Sequence, residues 1–431
     1  AWCGQNKYLS AIKNAFQNFM PLTIAGAIGV LWCNVLVNDQ TGLGLFFKPI
    51  MALDFLNPAF QAVNFCTISC ITVGITLGIA QEIGVWNMGA EKAGYIPGLV
   101  GLAAWLSVTN TSHMVEGAKE AFTGIAGNEL GATGLFTGMI IGVLSVELFC
   151  FFEKQDALKI KMPEQVPPGV ARAFEVLVPA TITLIITACI GSACYNLTGL
   201  YLNDVIKNGI QGPLGAVGAT IPGVMIIYLV IMLFWLVGIH GNNMLSAVKE
   251  ALFTPLALEN VEKFNKGEKP TNIINMYFLQ MCGEFGGSGV TIGLVIAIMI
   301  FGKREDNKAI ATLSLVPGLF NINETVTFGV PMVLNPILGI PFVVAPLITI
   351  IIGYVLTVIG FCPVACLTVP WTTPPIVFGF LACGANVMGA VTQAILIVVS
   401  TVIYVPFLIS YEKYQNLSLI HISEPTRPRL I

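Results

Sequence analysis

The chain has 431 residues, 55% hydrophobic and only 10% charged, with a formal net charge of -3. Soluble domains carry about 25% charged residues and a water-facing surface needs at least that share, so the composition excludes a soluble protein and places the chain in the membrane class. Its charge and lack of a basic patch exclude nucleic-acid binding, and eleven scattered cysteines with three histidines make neither a disulfide framework nor a zinc cluster.

A helix needs about 20 mainly apolar residues to cross the hydrocarbon layer. The first such run starts after Lys13 and reads as a retained span, Phe16–Val37, rather than a cleaved leader. Gln61–Ala80 follows, then the shorter Ile96–Val108 and the span Gly131–Phe152. In the last of these Gly134, Gly138 and Gly142 recur every four residues, a stripe that permits close helix approach inside one subunit or between two. Glu153–Arg172 is a polar link with Lys154, Lys159, Lys161 and Arg172. The positive-inside rule makes it cytoplasmic, together with Lys7 and Lys13 near the start.

Beyond the link come Val176–Leu197, Ala219–Ile239, Asn275–Phe301, the short Ala309–Phe320, Phe342–Gly360 and Ala385–Ile409. The direct count is eight to ten spans, an all-α polytopic membrane protein. Lysines in both Val261–Asn272 and Gly302–Lys308, with one apolar run between them, leave the parity of crossings open in this half. Val364–Gly384 is apolar but interrupted by Pro370, Pro374 and Pro375, which suits a re-entrant loop or a kinked helix. Cys66/Cys70 and Cys362/Cys366 read as ordinary packing pairs. The last residues, SLIHISEPTRPRLI, lie beyond the membrane pattern, so 415–431 reads as a disordered or artificially appended tail.

From Thr325 to Tyr411 the chain runs 87 residues without Asp, Glu, Lys or Arg, and Glu324 stands at the edge of that run. Ionisable groups in membrane segments are costly and are site candidates by default. Asn321 and Asn323 beside Glu324 supply amide donors and acceptors for hydroxyls; the alternative is a structural cap. His240 ends an apolar span and leads into Gly241-Asn242-Asn243, a turn or helix break where an imidazole can bind a hydroxyl or exchange a proton. Trp371, among prolines and threonines, offers an apolar face with a polar edge, suited to a sugar ring or to the lipid interface.

Other polar residues carry less. Glu284 lies in Cys282-Gly283-Glu284-Phe285-Gly286-Gly287, which lacks the spacing of a phosphate loop. Glu147 sits late in its span, while Glu82, Glu91 and Glu116 lie in short links. His113 has no second histidine nearby for a metal.

Three segments, His240-Gly241-Asn242-Asn243, Phe320-Asn321-Ile322-Asn323-Glu324 and Gly329-Val330-Pro331-Met332-Val333-Leu334-Asn335-Pro336, together resemble one family. It is the membrane-embedded enzyme IIC component of the bacterial phosphoenolpyruvate-dependent sugar phosphotransferase system, in its lactose/cellobiose/diacetylchitobiose branch. The resemblance covers Lys7–Tyr414 and is strongest to the diacetylchitobiose permeases of Bacillus. Where the family commonly has Pro-Val-Ile-Phe-Gly after the glutamate, this chain has Thr325-Val326-Thr327-Phe328-Gly329.

The resemblance implies about ten transmembrane helices with re-entrant hairpins in a homodimeric sugar transporter of the bacterial cytoplasmic membrane. Region 1–172 would form part of the dimer interface, and 173–414 would complete it and carry the sugar site. Elevator-like alternating access would import a β-linked disaccharide, with N,N'-diacetylchitobiose expected. The cytoplasmic IIB partner, itself supplied by IIA and the general phosphotransferase proteins, would phosphorylate the C6 hydroxyl from a phosphocysteine. Glu324 would orient that hydroxyl and accept its proton, His240 would position it, and Asn242, Asn323 and Trp371 would contact the sugar. No bound cofactor or metal is implied for this chain. An ion-coupled secondary sugar transporter is the competing expectation, since broken helices and isolated carboxylates suit it as well.

Overall fold

Among the described residues, five helices are long and apolar enough to cross a membrane, Lys7–Leu36, Thr133–Glu153, Pro168–Thr198, Gly339–Val358 and Val387–Asn416. Two bent pairs raise the number to seven if each is one span: Lys48–Ser69 with Ile71–Met88, and Met276–Val290 with Ile292–Phe301. Ile96–Val108 and Ile221–Leu236 are shorter apolar helices. The protein is thus an all-α polytopic membrane protein. The computed structural model describes residues 6–38, 44, 47–113, 122–163 and 165–423. Glu116 lies outside them.

By its internal contacts the chain forms two units, Ala1–Ala219 with Ser246–Glu262, and Thr220–Leu245 with Lys263–Ile431. The sequence-derived regions part at 172/173, so 173–219 of the site-bearing region belong to the first unit.

The first unit contains α1 (Lys7–Leu31), α2 (Ile71–Met88), α3 (Ile96–Val108), α4 (Ala132–Glu153) and α5 (Pro168–Thr198). The glycine stripe of α4 is spent on packing inside this unit: a Cβ on Gly138 would stand 2.2 Å from Thr76 Oγ1, and one on Gly142 3.1 Å from the Thr76 carbonyl oxygen. At Gly138 any side chain would force α2 to shift, and at Gly142 the fit to α2 is tight. Charges pair where helices meet. Lys7 reaches Glu147 at 2.6 Å, and the fully buried Glu153 receives Lys92 at 2.9 Å and Arg172 at 3.0 Å. His113 lies in a two-residue strand pairing Ser112–His113 with Phe122–Thr123.

Glu153 is the negative centre between two cations; on its neutralisation Arg172 keeps Glu175 at 2.6 Å and Lys92 is half exposed, so each cation retains a partner or water. We expect Glu153→Gln to destabilise the protein by about 1.5 kcal/mol, the low end for lost hydrogen bonds to a charged group. Thermal unfolding in detergent measures it, and an unchanged midpoint would show that the pair contributes nothing.

The second unit begins with α6 (Ile221–Leu236), followed after a turn by α7 (Gly241–Asn265), whose residues 246–262 belong to the first unit. The span expected over Asn275–Phe301 is broken into α8 (Met276–Gly283) and α9 (Ile292–Phe301), with a 59° bend between Met276–Val290 and Ile292–Phe301, and is either one broken span or a re-entrant loop. The break follows from Gly286, Gly287 and Gly289, all at positive φ. There follow α10 (Glu305–Leu319), α11 (Glu324–Gly329), α12 (Gly339–Val358), α13 (Val377–Ala382) and α14 (Val387–Ser423). Along α14, Val391, Ile395, Val398 and Val402 are exposed in a stripe while Leu396, Ser400, Tyr404 and Leu408 are buried. That alternation at helical spacing is the mark of one face in lipid and one in protein.

Arg304, just before α10, lies 3.0 Å from Asp306 and holds its carboxyl below the usual range. Glu412, buried in α14, accepts the backbone N–H of Lys303 and the amide of Asn307. The expected tail starts within α14, which continues to Ser423; residues 424–431 lie outside the described part, and so does the side chain of His421.

Candidate functional site

All five sequence-derived site residues belong to the second unit. The local backbone explains how they are presented. Helix α10 ends in a closed motif: Asn321 N–H donates to the Gly318 carbonyl at 3.0 Å, and Ile322 N–H to the Pro317 carbonyl at 3.0 Å. Such an ending requires the left-handed conformation at residue 321, which asparagine tolerates better than other residues with side chains, and φ there is 64°. The reversal lets Glu324 open the next short helix, α11, with its side chain half exposed.

His240 stands at the turn between α6 and α7. Its ring packs on the buried Trp235, centroids 4.3 Å apart. Nδ1 accepts the backbone N–H of Asn243 at 3.2 Å, which places the proton of the neutral ring on Nε2. Nε2 in turn faces Glu324 Oε1 at 3.8 Å. That separation is too long for a direct hydrogen bond, and it suits a hydroxyl that donates to the carboxylate while accepting from the imidazole. Folding thus brings together two residues 84 positions apart.

The two asparagines act differently. Asn323 is 4% exposed, and its amide donates to the Ser288 carbonyl at 2.7 Å. It therefore holds the loop between α8 and α9 against the start of α11. The fit is tight, since a Cβ on Gly287 would come within 2.6 Å of Asn323. Asn242 donates to Ser288 Oγ at 3.1 Å, while its Oδ1 is buried and makes no protein hydrogen bond. An acceptor left in that state favours a donor from a ligand.

Trp371 is 42% exposed in the irregular segment between α12 and α13. Prolines 363, 370, 374 and 375 lower the number of N–H groups that this segment must satisfy. Gln393 ties the end of the segment to the scaffold: Gln393 Oε1 accepts from Ile376 N–H and from Gly379 N–H in α13, both at 2.7 Å, and its amide donates to the Met281 carbonyl. Ile376 has a φ of 76°, a strained state for a β-branched residue. Among the described residues, non-glycine positive φ occurs at Val290, Asn321, Leu334, Ile376 and Ala385, all in this unit. Strain of that kind gathers at binding and switching sites.

Glu284 accepts a hydrogen bond from the buried Tyr228 hydroxyl at 2.9 Å, so it is tied to the scaffold of α6. Sequence reasoning did not single out Trp235, Ser288 or Gln393. A glutamine early in the apolar stretch of α14 was the one available hint, whereas Trp235 reads as ordinary span material. Among the described residues no group of three or more His, Cys, Asp or Glu side chains is placed to hold a metal ion.

A family model described as "Phosphotransferase system, EIIC" matches residues 13–346. The chain is 33% identical to the oligo-beta-mannoside-specific EIIC component of Bacillus subtilis (strain 168), over 95% of this chain and 90% of that protein. It is 30% identical to the cellobiose-specific EIIC component of Lactococcus lactis subsp. lactis (strain IL1403), over 96% of each. Among solved structures, ChbC, the IIC component of an N,N'-diacetylchitobiose-specific phosphotransferase system, superposes with a TM-score of 0.88 at 29% identity. That match covers 98% of this chain and 97% of ChbC.

Proposed function

The chain belongs to the phosphotransferase system EIIC family, and from that premise we propose that it imports a β-linked disaccharide, with N,N'-diacetylchitobiose the expected one, and presents its C6 hydroxyl for phosphorylation. Membership makes it the multi-pass, sugar-translocating component of the bacterial cytoplasmic membrane that works with a phosphorylated IIB partner. The observation carrying the site assignment is the gap of 3.8 Å between His240 Nε2 and Glu324 Oε1.

In this reading the C6 hydroxyl sits between those two groups. The sugar oxygen attacks phosphorus, the bond from phosphorus to the IIB cysteine sulfur breaks, and the hydroxyl proton passes to the Glu324 carboxylate. Asn242 Oδ1 accepts from a second hydroxyl and the Trp371 indole covers a sugar ring. Asn323 acts through the loop it holds. Transport completes the cycle by elevator-like movement of the site-bearing unit, in a homodimer of about ten spans per subunit joined through the first unit.

Relatives named for cellobiose and oligo-beta-mannosides, together with ChbC, support a glycoside of this size. Membrane vesicles holding this chain should form sugar phosphate from N,N'-diacetylchitobiose or cellobiose only when phosphorylated IIB is added. Accumulation of free sugar against its gradient without IIB, driven by protons or sodium, would instead establish secondary transport. A panel of diacetylchitobiose, cellobiose and lactose ranks the substrates.

A further inference from the structure

Asn321 lies outside the set of residues assigned to the sugar, yet its side chain joins three parts of the site-bearing unit. Its Oδ1 accepts the Gly286 N–H at 2.6 Å, in the loop between α8 and α9. Its Nδ2 donates to the Trp371 carbonyl at 2.5 Å and to the Thr373 carbonyl at 3.1 Å. The backbone of the same residue closes α10 three positions before Glu324. One planar amide thus meets an N–H on one side and two carbonyls on the other.

Few residues satisfy these conditions together. The left-handed backbone favours Gly, Asn or Asp. Aspartate keeps the acceptor for Gly286 but offers no donor and sets a carboxylate against two carbonyl oxygens. Glycine keeps the backbone and loses all three bonds.

We propose that Asn321 is a positioning residue for the sugar: it fixes the Trp371 turn at a set distance from Glu324, so that one pose satisfies both the ring contact and the hydroxyl. This rests on the reading of the site given above. Asn321 acts through the Trp371 turn, so its loss affects binding of the whole disaccharide more than proton removal once the sugar is bound.

The test is equilibrium binding of labelled N,N'-diacetylchitobiose and cellobiose to the purified full-length protein in detergent, together with phosphorylation at saturating sugar by phosphorylated IIB. Asn321→Asp should weaken binding by about tenfold and slow the saturated reaction by less than about threefold. Trp371→Leu should weaken binding to a similar degree, and the double variant should bind within about twofold of Trp371→Leu alone, because the two act as one unit. Asn321→Gly, which keeps the backbone relaxed, should repeat the result if the aspartate variant does not fold.

Affinity within twofold of wild type in the aspartate or glycine variant overturns the proposal. Losses that multiply in the double variant do so too, as does an equal fall in affinity and saturated rate. Wild-type affinity in Trp371→Leu would remove the ring contact itself and this inference with it. A weakened Trp371→Leu beside an unaffected Asn321→Asp overturns the positioning role alone.

Discussion

Glu324→Gln should lower sugar-phosphate formation by at least about a hundredfold while weakening sugar binding by no more than about tenfold. Glutamine keeps the volume and one acceptor oxygen, so a hydroxyl still finds a partner at that place. It has no basicity, and a positioned base contributes about 10²- to 10⁴-fold in rate. His240 is 3.8 Å away and its Nδ1 already accepts the Asn243 N–H, so it does not stand in as base without losing that bond. Single-turnover transfer from phosphorylated IIB, read beside equilibrium binding, separates the two effects. A folded Glu324→Gln protein with wild-type transfer would sink the assignment.

The second large effect is expected at His240. His240→Ala removes the Nε2–H that faces Glu324 and empties the space beside Trp235. Loss of one donor to a reacting oxygen costs about 10² to 10³ in rate. His240→Gln retains an amide donor and should recover part of that loss, about tenfold, whereas Ala should not. Transfer by the alanine variant at more than half the wild-type rate would exclude a role for the imidazole in positioning the hydroxyl.

The long neutral run shows how far the sequence reaches. Its lack of charge identifies membrane-buried chain, and its prolines identify a break, because both properties are counted along one dimension. The two carboxylates that bound it, Glu324 and Glu412, are visible as charges, but not what they meet. Folding sets Glu324 opposite His240 and gives Glu412 the backbone N–H of Lys303. Two residues of the same type at the two edges of one segment thus have different employment.

The glycine stripe in α4 makes the same point. Spacing alone allows an interface within a subunit or between two, and only the approach to Thr76 shows packing within one. Asn275–Phe301 reads as one span by length and apolarity, since hydropathy averages over the glycines that break it. Asn321 and Asn323 read as hydroxyl-binding neighbours of Glu324, and their role in tying loops together is not visible along the chain; Gln393 reads as an isolated amide.

By itself the sequence determined the membrane class, the approximate spans and the motif residues that carry the family likeness. These depend on composition, on runs of about 20 residues and on short local patterns. The tertiary structure alone decided that His240 and Glu324 form a pair, that Asn323 supports the site loop and that Asn321 links Gly286 to Trp371. Those facts are hydrogen bonds and close approaches between residues 35 to 84 positions apart. Local periodicity contains no term for such contacts, which exist only once packing has fixed where each loop returns.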